Sequence, residues 1–182
     1  MFTKHLVTQD LLPVVHEMFR EVFPGEKLYE DGSCEDCFTA ACSPDRDTSD
    51  VWDYYLWKLS TPDDQEGKFI AMSGIYTEEA DPESLWLGWM GVLPEYRRER
   101  LATRILNDFL RECRGLGFKY ARIYTNEDNE AARACYRFNG FAEEKYGGET
   151  PDYILVGGPV WIYSRSVISP DCPPWNNRKL IF

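Results

Sequence analysis

No apolar run in this sequence is long enough to cross a bilayer. The first residues, Met1-Phe2-Thr3-Lys4-His5, lack the apolar core of a secretory signal. The expectation is therefore a cytoplasmic protein whose six cysteines are reduced thiols. Positive charge is scarce as well. There are 20 Lys and Arg against 31 Asp and Glu, a formal net charge of −11, which argues against nucleic acid as a partner. Histidine is nearly absent, with two in the chain. Cys34-Glu35-Asp36-Cys37 and Cys42 would need distant Cys172 or one of those histidines as a fourth metal ligand, so no metal is expected. The cysteine cluster reads instead as a loop without metal or redox role, and Cys113 and Cys135 as small core residues of helices. Neither an internal repeat nor a low-complexity tract occurs.

What is present suits a packed globular chain. A length of 182 residues, 43% hydrophobic, gives a single domain over 1–182, with an irregular C-terminal tail from 169. Strands are expected over 2–7, 51–60, 68–76, 85–92, 119–124, 141–146 and 160–167. Helices are expected over 11–23, capped by Thr8 or Asp10, in a short stretch around 34–42, from 101 to the glycines at 115 and 117, and over 126–138. In the third, Leu101, Ile105, Phe109 and Cys113 repeat every fourth position on one face. Strands and helices alternate without separate blocks, which implies a mixed α/β layer structure.

The charges are unevenly spread. From Glu26 to Glu83 there are 16 acidic and 4 basic residues, whereas from Glu95 to Arg122 there are 8 basic and 4 acidic. The basic stretch opens with Val92-Leu93-Pro94-Glu95-Tyr96-Arg97-Arg98-Glu99-Arg100-Leu101-Ala102-Thr103, a turn between a strand and a helix. A helix N-terminus offers unpaired N–H groups and partial positive charge, so it seats phosphate, and arginines add charge-assisted hydrogen bonds. Further on lies Asn129-Glu130-Ala131-Ala132-Arg133-Ala134-Cys135-Tyr136-Arg137-Phe138-Asn139-Gly140-Phe141.

Taken together, these segments resemble the GNAT superfamily, the acyl-CoA-dependent N-acetyltransferases. The first is similar to its V-x-P-x-x-[RQ]-x-x-G-x-[GA] pyrophosphate loop and the second to its N-x-x-A-x-x-x-Y-x-x-x-G-F segment. Arg100 stands where family members usually carry glycine. It either takes an ordinary helical φ with its side chain outward, lines the phosphate site, or spoils it. The resemblance implies a GNAT-like fold, with a mixed, mostly antiparallel sheet of about six to seven strands flanked by helices. It implies a sheet that splays between the strands at 85–92 and 119–124, with the acyl-pantetheine arm in the gap.

Acyl transfer to an amine needs a held cofactor, a neutral amine, a donor for the thioester oxygen and a proton for the departing sulfur. The resemblance implies that acetyl-CoA is held by Arg97, Arg98, Glu99, Arg100, Leu101, Ala102 and Thr103, with the backbone of Gly91 and Val92 pairing the pantetheine. The Val92 N–H becomes the oxyanion donor. Asn129 either contacts the pantetheine or caps its own helix. Tyr136, a phenol with an ordinary pKa near 10, is the candidate acid. The candidate base is Glu83, or else Glu78, Glu79 or Asp81 of the preceding loop, because no acid lies between Ser84 and Val92; a free amine can also shed its proton to solvent. The implied partner is a small cationic amine or a protein amine, with neither nucleic acid nor membrane, and a homodimer stays open. A module that binds acyl-CoA without turnover is the competing reading.

Overall fold

The computed structural model describes residues 1–24, 33–148 and 158–175, with the helical backbone alone for 33–36. The side chain of Cys34, most of the loop from Gly147 to Pro159 and the end of the tail lie outside the described residues. In chain order the elements are β1 (Phe2–Leu6), α1 (Leu12–Val22), α2 (Ser33–Ala41), β2 (Trp52–Leu59), β3 (Lys68–Tyr76), β4 (Ser84–Val92), α3 (Leu101–Gly115), β5 (Tyr120–Asn126), α4 (Glu130–Phe138), β6 (Ala142–Lys145) and β7 (Val160–Ser166). Seven strands form one sheet in the order β1-β2-β3-β4-β5-β7-β6. It is mostly antiparallel; β4 and β5 run parallel. This is the mixed α/β sheet that the sequence implied. No helix among the described residues is long and apolar enough to cross a membrane.

The chain folds as two compact units. One holds Met1–Ile75 with Trp89–Ala102; the other holds Tyr76–Gly88 with Thr103–Phe182.

In the first unit β1 and β2 pair antiparallel from Phe2↔Leu59 to Leu6↔Tyr55. The helical spacing of Val15, Met18, Phe19 and Val22 becomes the buried face of α1. Neither expected cap serves this helix. Thr8 turns to Asp10 instead, a 3-10 turn over Gln9–Leu11 leads in, and Pro13 sits in the first turn, where a missing N–H costs nothing. Phe19 is fully buried, with ring centroids 5.2 Å from Phe23, 5.7 Å from Phe38 and 4.9 Å from Trp89. Each aromatic pair contributes about 0.5–1.5 kcal/mol beyond area burial.

That cluster holds Trp89 in place. Trp89 lies inside β4 with φ +45°, a left-handed value that costs a bulky residue roughly 1–3 kcal/mol. Edge-on packing against Phe19 and Phe23 offsets the strain. At Gly91, a Cβ would sit 2.0 Å from Val22 Cγ1 and 3.1 Å from Phe23 Cζ, so the end of α1 rests directly on the strand backbone.

In the second unit the β4–β5 ladder runs from Ser84↔Tyr120 to Leu87↔Ile123 and ends just short of Trp89. β5 continues beside β7, from Tyr120↔Ser166 to Asn126↔Val160, and β6 closes that edge, from Ala142↔Ser164 to Lys145↔Trp161. α3 buries Ile105, Leu106, Phe109, Leu110 and Cys113. Gly117 (φ +87°) ends it, and the Phe118 N–H returns to Cys113 O at 3.0 Å. The C-terminal segment is irregular but anchored. Trp175 is fully buried, edge-on to Trp86 at 5.1 Å, and Trp86 in turn stacks on Tyr76.

Candidate functional site

In the first unit the site residues follow the end of β4. Leu93 N–H still pairs with Ile70 O at 2.9 Å, and Pro94–Tyr96 then forms a 3-10 turn. Arg97 Nε donates to Val92 O at 3.0 Å, which fastens the loop to the strand end. Arg98 takes φ +67° and Arg100 φ +57°. The sequence left open an ordinary helical φ at Arg100; the structure excludes it. The family glycine is replaced by arginine, yet the left-handed backbone that glycine would supply is kept. Left-handed residues directly before a helix are the backbone conformation from which anion nests are built, and here they precede the positive end of α3. Arg97, Arg98, Glu99 and Arg100 are exposed, Leu101 is buried and Ala102 half-buried. α3 carries no acid in its first turn. The arrangement fits a polyanionic phosphate group.

In the second unit α4 carries Tyr136, and the G-F spacing is what fixes it. Gly140 (φ +78°) ends α4, and Phe141 N–H bonds to Tyr136 O at 3.1 Å. This is a Schellman cap, and its accompanying apolar contact is Tyr136 against Phe141, centroids 6.4 Å apart. Tyr163 of β7 packs on the same ring at 5.0 Å. Arg133 Nε donates to Tyr163 Oη at 3.0 Å, locking α4 to β7. Tyr136 is 5% exposed, and burial holds its phenol well above the ordinary tyrosine range. It is protonated at every physiological pH. Its hydroxyl makes no hydrogen bond among the described residues.

Asn129 is the N-cap of α4. Its Oδ1 accepts from Ala132 N–H at 3.3 Å and its Nδ2 donates to Thr125 Oγ1 at 3.1 Å. Thr103 of α3 accepts from Asn139 Nδ2 at 3.3 Å. Glu83 is exposed and ion-paired with Lys119, and this partner raises the lysine's pKa. It precedes the first residue of β4, whereas Val92 is the last, so the strand has Glu83 and Val92 at its two ends.

Sequence reasoning passed over Arg122. It is 2% exposed, and its Nε donates to Asp81 Oδ2 at 2.7 Å and Ser84 Oγ at 3.0 Å, its Nη1 to Ser164 Oγ at 2.5 Å. Between Ala121 and Ile123 it reads as the solvent-facing position of a strand. Among the described residues, the return of Trp175, whose ring lies 5.3 Å from the guanidinium, helps cover that face. Beside this pair, Glu78 is 6% exposed, and burial with the Asp81 charge pushes its carboxyl up to about 7. Cys42 donates to Val7 O, and burial raises its pKa, so it is a protonated thiol. No group of three or more metal-ligating side chains occurs among the described residues.

Residues 15–141 match the family model for GNAT acetyltransferases. No curated protein matches the sequence at a significant level. Solved structures share the fold. The ribosomal-protein-S18-alanine N-acetyltransferase of Escherichia coli is 17% identical with a TM-score of 0.63, covering 100% of both chains. A spermidine N-acetyltransferase chimera from Vibrio cholerae and a human-type enzyme is 14% identical with a TM-score of 0.67, covering 91% of this chain and 95% of its own. A GNAT acetyltransferase from Elizabethkingia anophelis with acetyl-CoA bound is 13% identical with a TM-score of 0.61, covering 91% and 97%. The arginine-rich loop, the capped tyrosine helix and β3 to β5 all fall inside the matched span, and the chain belongs to the GNAT family of acetyltransferases.

Proposed function

We propose that this protein transfers an acetyl group from acetyl-CoA to a primary amine, by direct attack of the amine on the thioester. The observation that carries this reading is the loop ahead of α3, where Arg98 and Arg100 keep left-handed backbone at a helix N-terminus. Holding that conformation without glycine costs about 1–2 kcal/mol per residue, and a phosphate nest is a function that uses it. Arg98, Arg100 and the first N–H groups of α3 would hold the pyrophosphate, while Arg97 braces the loop on Val92 O. Acetyl-CoA supplies an activated acyl thioester. The Val92 N–H donates to the thioester oxygen as charge builds there. Tyr136 Oη, protonated and without a hydrogen-bond partner among the described residues, gives its proton to the departing sulfur.

Both acceptor classes have support by analogy. One structural neighbour is named for spermidine and another for a ribosomal-protein alanine. The strongly acidic segment from Glu26 to Glu83 favours a cationic acceptor of either kind. Two measurements test the proposal. CoA should raise the melting temperature, because a ligand bound only by the folded state adds about 2.7 kcal/mol at a hundred times its Kd. Free thiol should then appear from acetyl-CoA only when an amine is added. No thermal shift at millimolar CoA would sink the reading.

The competing reading, a module that binds acyl-CoA without turnover, is favoured by two observations: arginine stands at the family's glycine, and Glu83 is engaged by Lys119. A CoA thermal shift without thiol release for any amine would select it.

A further inference from the structure

Tyr163 of β7 is fully buried, and the antiparallel register sets it directly opposite Glu143 of β6. Its Oη donates to Glu143 Oε2 at 2.9 Å and accepts from Arg133 Nε at 3.0 Å. Arg133 and Arg137 stand one turn apart on α4, on the side of the helix that also carries Tyr136. Arg137 Nη1 reaches the same Glu143 oxygen at 3.0 Å, and Arg133 Nη2 lies 3.7 Å from it. Arg133 is held from two further directions. Its Nη1 donates to Glu127 O at 3.0 Å, and its guanidinium lies 4.5 Å from the Trp161 ring centroid. The Tyr163 oxygen is thus donor and acceptor at once, in a network that joins α4, β6 and β7.

This network does not titrate near neutrality. Burial opposes ionisation of Glu143, but hydrogen bonds from Arg137 and Tyr163 and the charges of both arginines outweigh it and hold the carboxyl below the ordinary range. Burial raises the Tyr163 phenol, Arg133 pulls it down and Glu143 pushes it up; the outcome lies above the ordinary range. The carboxylate stays charged and the phenol protonated at working pH. The Tyr163 ring lies against Tyr136, centroids 5.0 Å apart and planes at 57°. A phenylalanine could make that ring contact as well. What the hydroxyl adds is a fixed ring, tied to side chains of two other elements. Tyr136 needs such support. Its own hydroxyl makes no hydrogen bond among the described residues, so its place depends on packing against Tyr163 and Phe141.

We infer that Tyr163 is a positioning residue for the acid: through its hydrogen bonds to Arg133 and Glu143 it holds the ring on which Tyr136 rests, and so keeps the Tyr136 hydroxyl where the departing sulfur needs a proton. The inference rests on the acetyltransferase reading above, with Tyr136 as its acid. In the step served, the C–S bond breaks and the sulfur keeps the bonding pair and takes the Tyr136 Oη proton. The phenolate regains a proton from solvent, to which the acylated nitrogen has lost one. Tyr163 itself exchanges neither proton nor electrons.

A double-mutant cycle tests this, with acetyl-CoA and the better of two acceptors, spermidine or a peptide with N-terminal alanine. Thiol release is followed well below the melting temperature of each protein: wild type, Tyr163→Phe, Tyr136→Phe and the double variant. Tyr163→Phe should lower kcat about 10- to 10²-fold, with the acetyl-CoA KM and the CoA-induced thermal shift within about twofold of wild type. In the Tyr136→Phe background the same change should move kcat by less than about twofold, since the hydroxyl it positions is gone. A brace that serves stability alone would lower the melting temperature and leave kcat unchanged, and that result overturns the inference. So does an equal loss of kcat in both backgrounds, or a loss carried by KM. Should Tyr163→Phe fail to fold, Glu143→Gln and Glu143→Ala replace it. Gln still accepts from the Tyr163 hydroxyl and should keep kcat within about threefold, whereas Ala should lose about tenfold, and only where Tyr136 is present. Equal kcat in these two variants overturns the inference. If Tyr136→Phe alone is silent, the acid assignment falls and Tyr163 with it, while the acetyltransferase stands. Wild type that binds CoA but releases no thiol with either amine defeats the parent reading, and this one with it.

Discussion

Arg100 keeps a backbone conformation that glycine adopts without penalty. Arg100→Gly removes about 1–2 kcal/mol of left-handed strain and adds about 0.5–1 kcal/mol of glycine entropy, so stability should rise by up to about 1 kcal/mol in denaturant melts. The same change removes a cation from the nest. CoA should then bind more weakly, and the loss should shrink at high salt. An unchanged Kd would mean that the guanidinium stays in solvent. Tyr136 is separable in the same way. Tyr136→Phe keeps the contacts with Phe141 and Tyr163 and removes only the hydroxyl. kcat should fall about 10²–10⁴-fold where chemistry limits the rate, with melting temperature and CoA affinity near wild type. Tyr136→Ala should cost about 3–5 kcal/mol of stability. A silent Phe variant would return Tyr136 to the role of a core aromatic.

Among the elements, β4 is the most constrained. Its first half pairs with β5, and at Trp89 the chain turns left-handed before the strand resumes. α1 fixes that geometry from one side, through Phe19 and Phe23 on Trp89 and Val22 on Gly91. Gly91→Ala therefore forces α1 off the strand. Overpacking of this kind costs about 1–3 kcal/mol, and the displaced strand end should weaken CoA binding beyond the stability loss. Equal CoA affinity in a destabilised Gly91→Ala would separate the α1 contact from the site. α4 shows how a motif spacing becomes geometry. Its tyrosine, glycine and phenylalanine occupy the C3, C′ and C″ positions of one cap, so the sequence pattern and the ring's placement are the same fact.

On the scale of the whole molecule, stability should carry the signature of Glu78. Its folded-state pKa, about 7, lies above the ordinary glutamate value of 4.5. The stabilisation from the neutral acid is complete below the unfolded pKa and disappears as pH rises through about 7. Glu78→Gln stays neutral, so it should melt at a higher temperature than wild type at pH 8 and at nearly the same temperature at pH 5. Equal melting temperatures at pH 8 would show that the carboxylate is already compensated in the folded protein.

The sequence by itself determined the element order, the basic loop before α3 and the tyrosine helix, because these depend on local periodicity, helix-end chemistry and short spacings. It placed β1, β3, β4 and α4 to within a few residues. It did not determine the φ of Arg100, since a lone arginine is compatible with either hand until β4 and α3 fix the ends of the loop. It read Trp89 as an ordinary strand residue, for the aromatic cluster that holds it comes from α1 and α2. Asn129 stood between two roles, and its hydrogen bonds to Thr125 and Ala132, each within one turn in sequence, show the cap. Glu78 was one acid among several in an acidic loop. Only the assembled structure paired Asp81 with Arg122, distant in sequence, and brought Trp175 over that face, because burial and charge compensation are properties of segments that meet in space.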